Sequence, residues 1–259
     1  MGEWIKYPGD PAVGMEVFPV DNGAGAVVVC PGGGYHFVSP REAAPVAEAW
    51  NRAGFCAFVL TYSCEGAPLK ERPLYQLSWA VSTVKGLAGQ YGFSPDRVIT
   101  CGFSAGGHLA GTLGVTWNRP EWYPKGTDLE LHRPAAQVLC YPVITAGEYA
   151  HRGSFVNLAG TDRADQERYS LENLVTEQTP PTFLWHTMTD EAVPVQNTLL
   201  FSQKLLENHV PQEVHLFPFG VHGLSLATEE VTQTEKNRYP DSHIARWFSL
   251  AAEWALKCI

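Results

Sequence analysis

Five residues, Gly102-Phe103-Ser104-Ala105-Gly106, constrain this chain more than any others, because they join the strand-like run RVITC directly to the helix-like run SAGGHLAGTLGV. A serine between a strand and a helix in so short a space sits on a sharp, strained turn. Side chains at the flanking glycines would collide with neighbouring backbone. The turn lifts the Ser104 hydroxyl above the sheet. It also leaves the Ala105 N–H free at a helix N-terminus, where it can donate to a developing oxyanion. A Gly-x-Ser-x-Gly match alone also arises in Gly-rich turns. The strand before it and the helix after it are the context that gives it meaning.

Around this turn, short β-rich runs alternate with longer helical ones. The strand candidates are Ala26–Cys30, Phe55–Tyr62, Arg97–Cys101, Ala136–Tyr141, Thr182–His186 and Glu213–Phe217. Several are continuous Val/Leu/Phe runs without alternation, the pattern of strands covered on both faces. Helical stretches fall near Arg41–Ala53, Leu74–Tyr91, Ser104–Thr116, Pro194–Asn208 and His243–Lys257, with Pro45 in a first helical turn. This order predicts an α/β fold with a mostly parallel central sheet and helices on both faces, over one domain spanning residues 1–259. Trp117–Pro134 and Leu226–Ser242 fit the alternation poorly and are expected to form a small lid or pocket wall.

Three further segments lie at predicted strand ends, where parallel sheets place ligands. Pro31-Gly32-Gly33-Gly34-Tyr35-His36 follows the strand AVVVC. A flexible turn would explain one or two glycines there; three let backbone N–H groups approach a ligand, with Gly33 and Gly34 favoured as oxyanion donors beside Ala105. After TFLWH comes Thr189-Asp190-Glu191-Ala192-Val193-Pro194. Asp190 suits the tight turn better than the adjacent Glu191, and Asp162 and Asp165 read as part of a solvated loop. After EVHLF comes Gly220-Val221-His222-Gly223, a histidine in a glycine-flanked loop. Chain order Ser104, Asp190, His222 is the order of nucleophile, acid and base in hydrolases with this turn. His108, four residues past Ser104 on the same helix face, reads as a packed residue, and His186 as support for the Asp190 loop. Tyr35, His36, Tyr141 and Pro142 are candidate substrate-pocket residues.

Charge and cysteine usage bound the alternatives. The net charge is −9 with 18 basic against 27 acidic residues, so phosphate backbones and anionic lipid are poor partners. No apolar run approaches the length of a membrane span, and MGEWIKYPGD lacks the basic start and apolar run of a secretory signal. The six cysteines form no CxxC pair. A reducing, cytoplasmic setting is expected, with no metal and no organic cofactor. The oligomeric state is not legible.

The segments PGGGYHFVSPREAAPVA, RVITCGFSAGGHLAGTLG, TPPTFLWHTMTDEAVPVQNTLLFSQKLLENHVPQEVHLF and FGVHGLSLA together resemble the α/β-hydrolase esterases of the acetylxylan esterase, or carbohydrate esterase, type, relatives of the hormone-sensitive-lipase-like group. The resemblance runs from about Gly23 to the C-terminus. It implies the α/β-hydrolase fold, ester hydrolysis, and Ser104, Asp190 and His222 as triad. One departure is Pro31, where hormone-sensitive-lipase-like enzymes usually carry His before the glycines. That favours the sugar-esterase branch over lipid esters. The resemblance therefore implies a small-molecule ester substrate, foremost an acetylated saccharide such as a xylo-oligosaccharide. Feruloyl or short-chain carboxylesterase activity, peptidase or formamidase activity, and a hydrolase-fold binder that has lost catalysis remain alternatives.

Overall fold

The computed structural model describes residues 3–259. Its centre is a sheet of eight strands: β1 (Glu3–Tyr7), β2 (Asp10–Phe18), β3 (Gly25–Cys30), β4 (Phe55–Thr61), β5 (Val98–Phe103), β6 (Gln137–Cys140), β7 (Thr182–Thr187) and β8 (Gln212–Phe217). Their spatial order is β1-β2-β4-β3-β5-β6-β7-β8. β3 to β8 pair in parallel, while β1 and β2 add an antiparallel hairpin at one edge. This is the α/β-hydrolase fold, with eight α-helices among the described residues.

The unbroken apolar runs of β3 and β4 follow from cover on both faces. Ala26, Val28 and Phe58 point toward α2 (Arg72–Gly86), meeting Leu77 and Val81. The alternate residues Val27, Val29 and Ala57 point toward α1 (Ala44–Arg52) and α8 (Arg246–Cys258), meeting Trp50 and Trp247. Farther along the sheet, Leu139 and Leu184 pack on α7 (Gln196–Glu207) through Phe201 and Leu205. α4 (Ala105–Thr116) is buried along its whole length, which its run of Gly, Ala and Leu permits.

Several sequence expectations change here. The hairpin of β1 and β2 was absent from the predicted strands, although Pro8-Gly9 marks its turn. β1 is an edge strand whose residues are half or fully exposed, so it lacks the apolar run of a central strand. The helix expected over Leu74–Tyr91 stops at Gly86 and resumes as the short α3 (Ala88–Tyr91), with Gly86 and Gly89 weakening the junction. α6 (Arg163–Glu167) occupies the stretch that read as a solvated loop, and α5 (Arg152–Ala159) falls where no element was expected. Asp162 caps α6, its Oδ1 accepting from Ala164 N at 2.8 Å, and Asp165 lies in the first turn of that helix. Trp117–Pro134 forms no part of a lid over the strand ends. α4 carries the chain away from Ser104, so this segment lies toward the opposite end of the strands, where the residue that follows it, Ala135, donates its N–H to Val98 O at 2.8 Å. There His132 bridges the Trp117 carbonyl and the Ser78 hydroxyl. Among the described residues no helix is long and apolar enough to cross a membrane, and all six cysteines are free thiols.

Trp247 joins the core to the loops above it. It stacks on Trp185 at 5.2 Å, meets Phe103 edge-on, and donates its indole N–H to Ser225 O at 2.9 Å. Trp247→Ala removes a fully buried ring and an internal hydrogen bond. It is expected to lower unfolding free energy by about 3–5 kcal/mol in urea titrations. Leu206→Ala, on the outer face of α7 and 70% exposed, is the control, with a change within about 0.5 kcal/mol.

Candidate active site

The carboxyl ends of the parallel strands converge on Ser104. The serine links β5 to α4 with φ 54 and ψ −117, a conformation that a residue bearing a Cβ holds only under constraint. The flanking glycines supply that constraint. A Cβ at Gly102 would run into the backbone of Gly106, and one at Gly106 into the carbonyls of Cys30 and Pro31. The turn is tied to the next strand, since Ser104 N donates to Cys140 O at 3.0 Å and Ser104 O accepts from Val143 N at 3.1 Å.

The structure brings Ser104, His222 and Asp190 together. Ser104 Oγ lies 2.8 Å from His222 Nε2, and His222 Nδ1 lies 2.6 Å from Asp190 Oδ2. Asp190 is also held from its own turn, where Oδ1 accepts from Ala192 N at 3.0 Å and Val193 N at 2.9 Å. Glu191 faces solvent. Burial by itself would raise the Asp190 pKa. Hydrogen bonds from His186 and His222, the His222 charge and the Val193 N–H outweigh it and hold the carboxyl well below the usual carboxylate range. A carboxylate that stays ionised and accepts from Nδ1–H leaves Nε2 as the acceptor for the serine proton.

His186 works behind this pair. Its Nε2 faces the carbonyl of Val193 at 2.9 Å, and a carbonyl only accepts, so Nε2 carries the proton. The same N–H lies 3.3 Å from Asp190 Oδ2, and Nδ1 accepts from the Thr198 hydroxyl at 2.8 Å. His108 is built the same way. Its Nε2 donates to Tyr169 O at 2.8 Å, which makes Nδ1 the acceptor for the Tyr35 hydroxyl at 2.9 Å. Both imidazoles are fully buried and act as structural joints.

In the glycine loop, the Gly32 N–H is taken by Glu42 Oε2 at 2.8 Å. Gly33 and Gly34 both have positive φ. The N–H groups of Gly33, Gly34 and Ala105 find no acceptor among the described residues. Gly34 O accepts from Asn157 Nδ2 of α5 at 2.9 Å, which braces the loop from outside.

Glu42 is a feature that sequence reasoning missed. It follows a Ser-Pro-Arg stretch that gives no sign of burial, yet it is 3% exposed. Besides Gly32, it accepts from the Tyr141 hydroxyl at 2.6 Å, and that hydroxyl in turn accepts from Ser225 N at 2.9 Å. The Tyr141 ring meets the His222 ring edge-on at 5.1 Å. One carboxylate thus ties the glycine loop to the histidine loop. Two guanidiniums hold the latter from its other side: Arg238 Nε donates to His222 O and Arg41 Nη1 to Gly223 O, both at 2.8 Å.

Ser104 and His222 open into a cavity of about 380 Å³, within the range of small-molecule sites. His36 lines it, together with Phe37, His151, Asn157, Lys236 and Arg238, none of which the sequence singled out. His151 Nδ1 pairs with the Ser154 hydroxyl at 2.8 Å and caps α5. Burial lowers its pKa, as does the charge of nearby His222. Tyr35, Tyr141 and Pro142 do not line the cavity. Their rings are needed below it: Tyr35 against His108, Tyr141 against Glu42, Pro142 beside Gly107. Leu226–Ser242 contributes to the wall through Lys236 and Arg238, as expected of it. The opposite wall comes from the α5 region rather than from Trp117–Pro134. Among the described residues no group of three His, Cys, Asp or Glu is arranged to hold a metal ion.

The model of the prolyl oligopeptidase family matches residues 80–249, and the BD-FAE model matches residues 20–137. The chain is 37% identical over 214 residues to endo-1,4-beta-xylanase B of Butyrivibrio fibrisolvens, a match covering 79% of this chain and 33% of that protein. It is 28% identical over 225 residues to an acetylxylan esterase of Xylanibacter ruminicola, covering 83% of this chain and 44% of that one. The chain thus spans between a third and a half of the length of these relatives. The acetyl ester-xyloside bifunctional hydrolase of Caldicellulosiruptor lactoaceticus superposes with a TM-score of 0.83 at 34% identity, covering 98% of this chain and 95% of that one.

The buried His108 makes a prediction about pH. Burial lowers its pKa from 6.5 to about 4, partly offset by the Tyr169 carbonyl. The unfolded chain therefore binds a proton between about pH 6.5 and 4 that the folded protein refuses, so stability is full above this window and falls as pH drops through it. Over that range His108 alone is expected to withdraw about 3 kcal/mol. NMR of the imidazole carbon protons should show one ring neutral down to about pH 4. A His108 resonance titrating near its ordinary value would contradict this.

Proposed function

Since the chain belongs to the prolyl oligopeptidase family and has the α/β-hydrolase fold, we propose that it is a serine ester hydrolase acting on acetylated saccharides, with Ser104, His222 and Asp190 as its triad. One observation carries the reading: the unbroken relay from Ser104 Oγ through His222 to Asp190, at 2.8 Å and 2.6 Å, beside three unengaged backbone N–H groups. His222 takes the Ser104 proton as Oγ attacks the ester carbonyl, and Asp190 fixes the tautomer and stabilises the imidazolium. The N–H groups of Gly33, Gly34 and Ala105 receive the oxyanion; one such donor is worth about 2.7–4 kcal/mol in the barrier. As the bond from the acyl carbon to the sugar oxygen breaks, His222 gives the proton to that oxygen, which leaves as the free hydroxyl. In the second half it activates the water that releases acetate and restores Ser104.

The substrate class is supported by what the relatives are called. An acetylxylan esterase and an acetyl ester-xyloside hydrolase both align over most of this chain. Their names point to ester bonds on sugars rather than to the amides that the same triad can cleave. His36, Asn157, Lys236 and Arg238 bring polar groups to the cavity wall, where the hydroxyls of a sugar alcohol can meet them.

Hydrolysis of p-nitrophenyl acetate tests the chemistry. Ser104→Ala should abolish it, and Asp190→Asn should cut kcat by about 10⁴-fold with the fold intact, because the neutral amide no longer selects the tautomer. Equal rates in wild type and Ser104→Ala would remove the enzyme reading. Acetate release from acetylated xylo-oligosaccharide, set against methyl ferulate and p-nitrophenyl butyrate, tests the substrate. Equal rates on all three would sink the sugar assignment.

A further inference from the structure

Beside the Ser104 cavity lies a second one of about 640 Å³, and His36 and Phe37 line both. The topology explains their adjacency. Ser104 follows β5, His36 and Phe37 follow β3, and the second cavity is walled by the segment after β4 and the start of β2. These strands are consecutive in the sheet, β2-β4-β3-β5, so the two cavities sit side by side along one edge with the β3 loop between them. Phe37 stands on that divide with 51% of its surface exposed. Its ring gives both cavities an apolar surface.

The second cavity is furnished for hydroxyl groups. Asp10 uses Oδ1 to accept from Ala12 N, and no partner among the described residues engages Oδ2. Glu65 is exposed, and its carboxylate has no side-chain or backbone partner among the described residues. The Ser63 hydroxyl oxygen accepts from Gln76 Nε2 at 2.6 Å, which leaves its proton to be donated. Arg72 holds the loop by donating to Glu65 O and Gly66 O, both at 3.1 Å. Acceptors, a donor and a neighbouring aromatic face match the alternating polar edges and apolar faces of a pyranose. They would oppose an aromatic acyl group, whose burial there would strip water from two carboxylates.

We propose that this second cavity, with Phe37 as its stacking platform, is a saccharide subsite that binds the alcohol side of the substrate beyond the acetylated sugar. The inference rests on the ester-hydrolase reading for its place in catalysis and adds a chain-length preference to it. A substrate of several sugar units crosses the β3 loop, laying one ring on Phe37 and extending hydroxyls toward Asp10, Ser63 and Glu65. A single acetylated sugar occupies the Ser104 cavity alone. The gain from the longer chain appears chiefly in KM, because these contacts are made equally in ground and transition states.

Two measurements test this. The first is the ratio of kcat/KM for an acetylated xylotetraose to that for an acetylated xylose, in wild type, Phe37→Ala and the double variant Asp10→Asn, Glu65→Gln. Wild type should favour the longer substrate, and each variant should reduce the ratio by about fivefold through KM. The second is calorimetric binding of unacetylated xylotetraose to Ser104→Ala, with and without Phe37→Ala; the second substitution should weaken it by a similar factor. A flat wild-type ratio with hydrolysis still dependent on Ser104 overturns the subsite and leaves the esterase standing. Xylotetraose binding that needs Phe37, in a protein without Ser104-dependent hydrolysis, keeps the groove and removes the esterase. Binding indifferent to Phe37, with a ratio unchanged in both variants, overturns the subsite outright.

Discussion

The closeness of α4 to the end of β3 is the constraint from which the rest of the site follows. At Gly106 the helix backbone lies so near the Cys30 and Pro31 carbonyls that no side chain fits between them. That contact forces the chain to turn within one residue after β5, and Ser104 takes the conformation that results. A residue so placed costs about 1–3 kcal/mol. The cost is carried by a neighbourhood that cannot relax: α4 is buried on all sides, and Ser104 is bonded through its backbone to β6 and the loop after it. The same closeness puts the glycine loop beside the hydroxyl, so the parts expected to receive an oxyanion and to attack a carbonyl share one origin.

The strands β3 to β7 were legible because they are buried on both faces and therefore written in nearly continuous apolar runs, and the half-buried β8 still shows the run EVHLF. β1 was not, because an edge strand beside water carries Glu3 and Lys6 among its few apolar residues. α5 and α6 were hidden for a different reason. They are short and depend on contacts made after folding, such as Asn157 to the glycine loop, more than on periodicity. Trp117–Pro134 misled through composition. Its aromatic and proline content is that of a pocket wall, but α4 delivers it to the other end of the sheet, where Trp117 and Tyr123 are buried.

Of the residues that converge at the site, Ser104, Asp190 and His222 could be picked out beforehand because backbone geometry and chain order mark them. Residues that act through contacts between loops could not. Tyr35 and Tyr141 stand at the right strand ends to face a ligand, but their side chains turn inward to His108 and Glu42. A strand end tells where a residue starts and not which way its ring points. Glu42 shows the converse, since only the meeting of Gly32 with Tyr141 gives a buried carboxylate its partners.

Glu42 also limits how such a protein can change. Because one carboxylate serves Gly32 on the glycine loop and, through Tyr141, Ser225 on the histidine loop, neither loop is an independent module. A glycine loop grafted from a relative would arrive without its counterpart unless the acid and the phenol came with it. A lineage that loses either would leave the other's polar atoms stranded away from water. Change is therefore easiest at the periphery, around Phe37 and the segment after β4, where among the described residues no carboxylate joins two loops in this way.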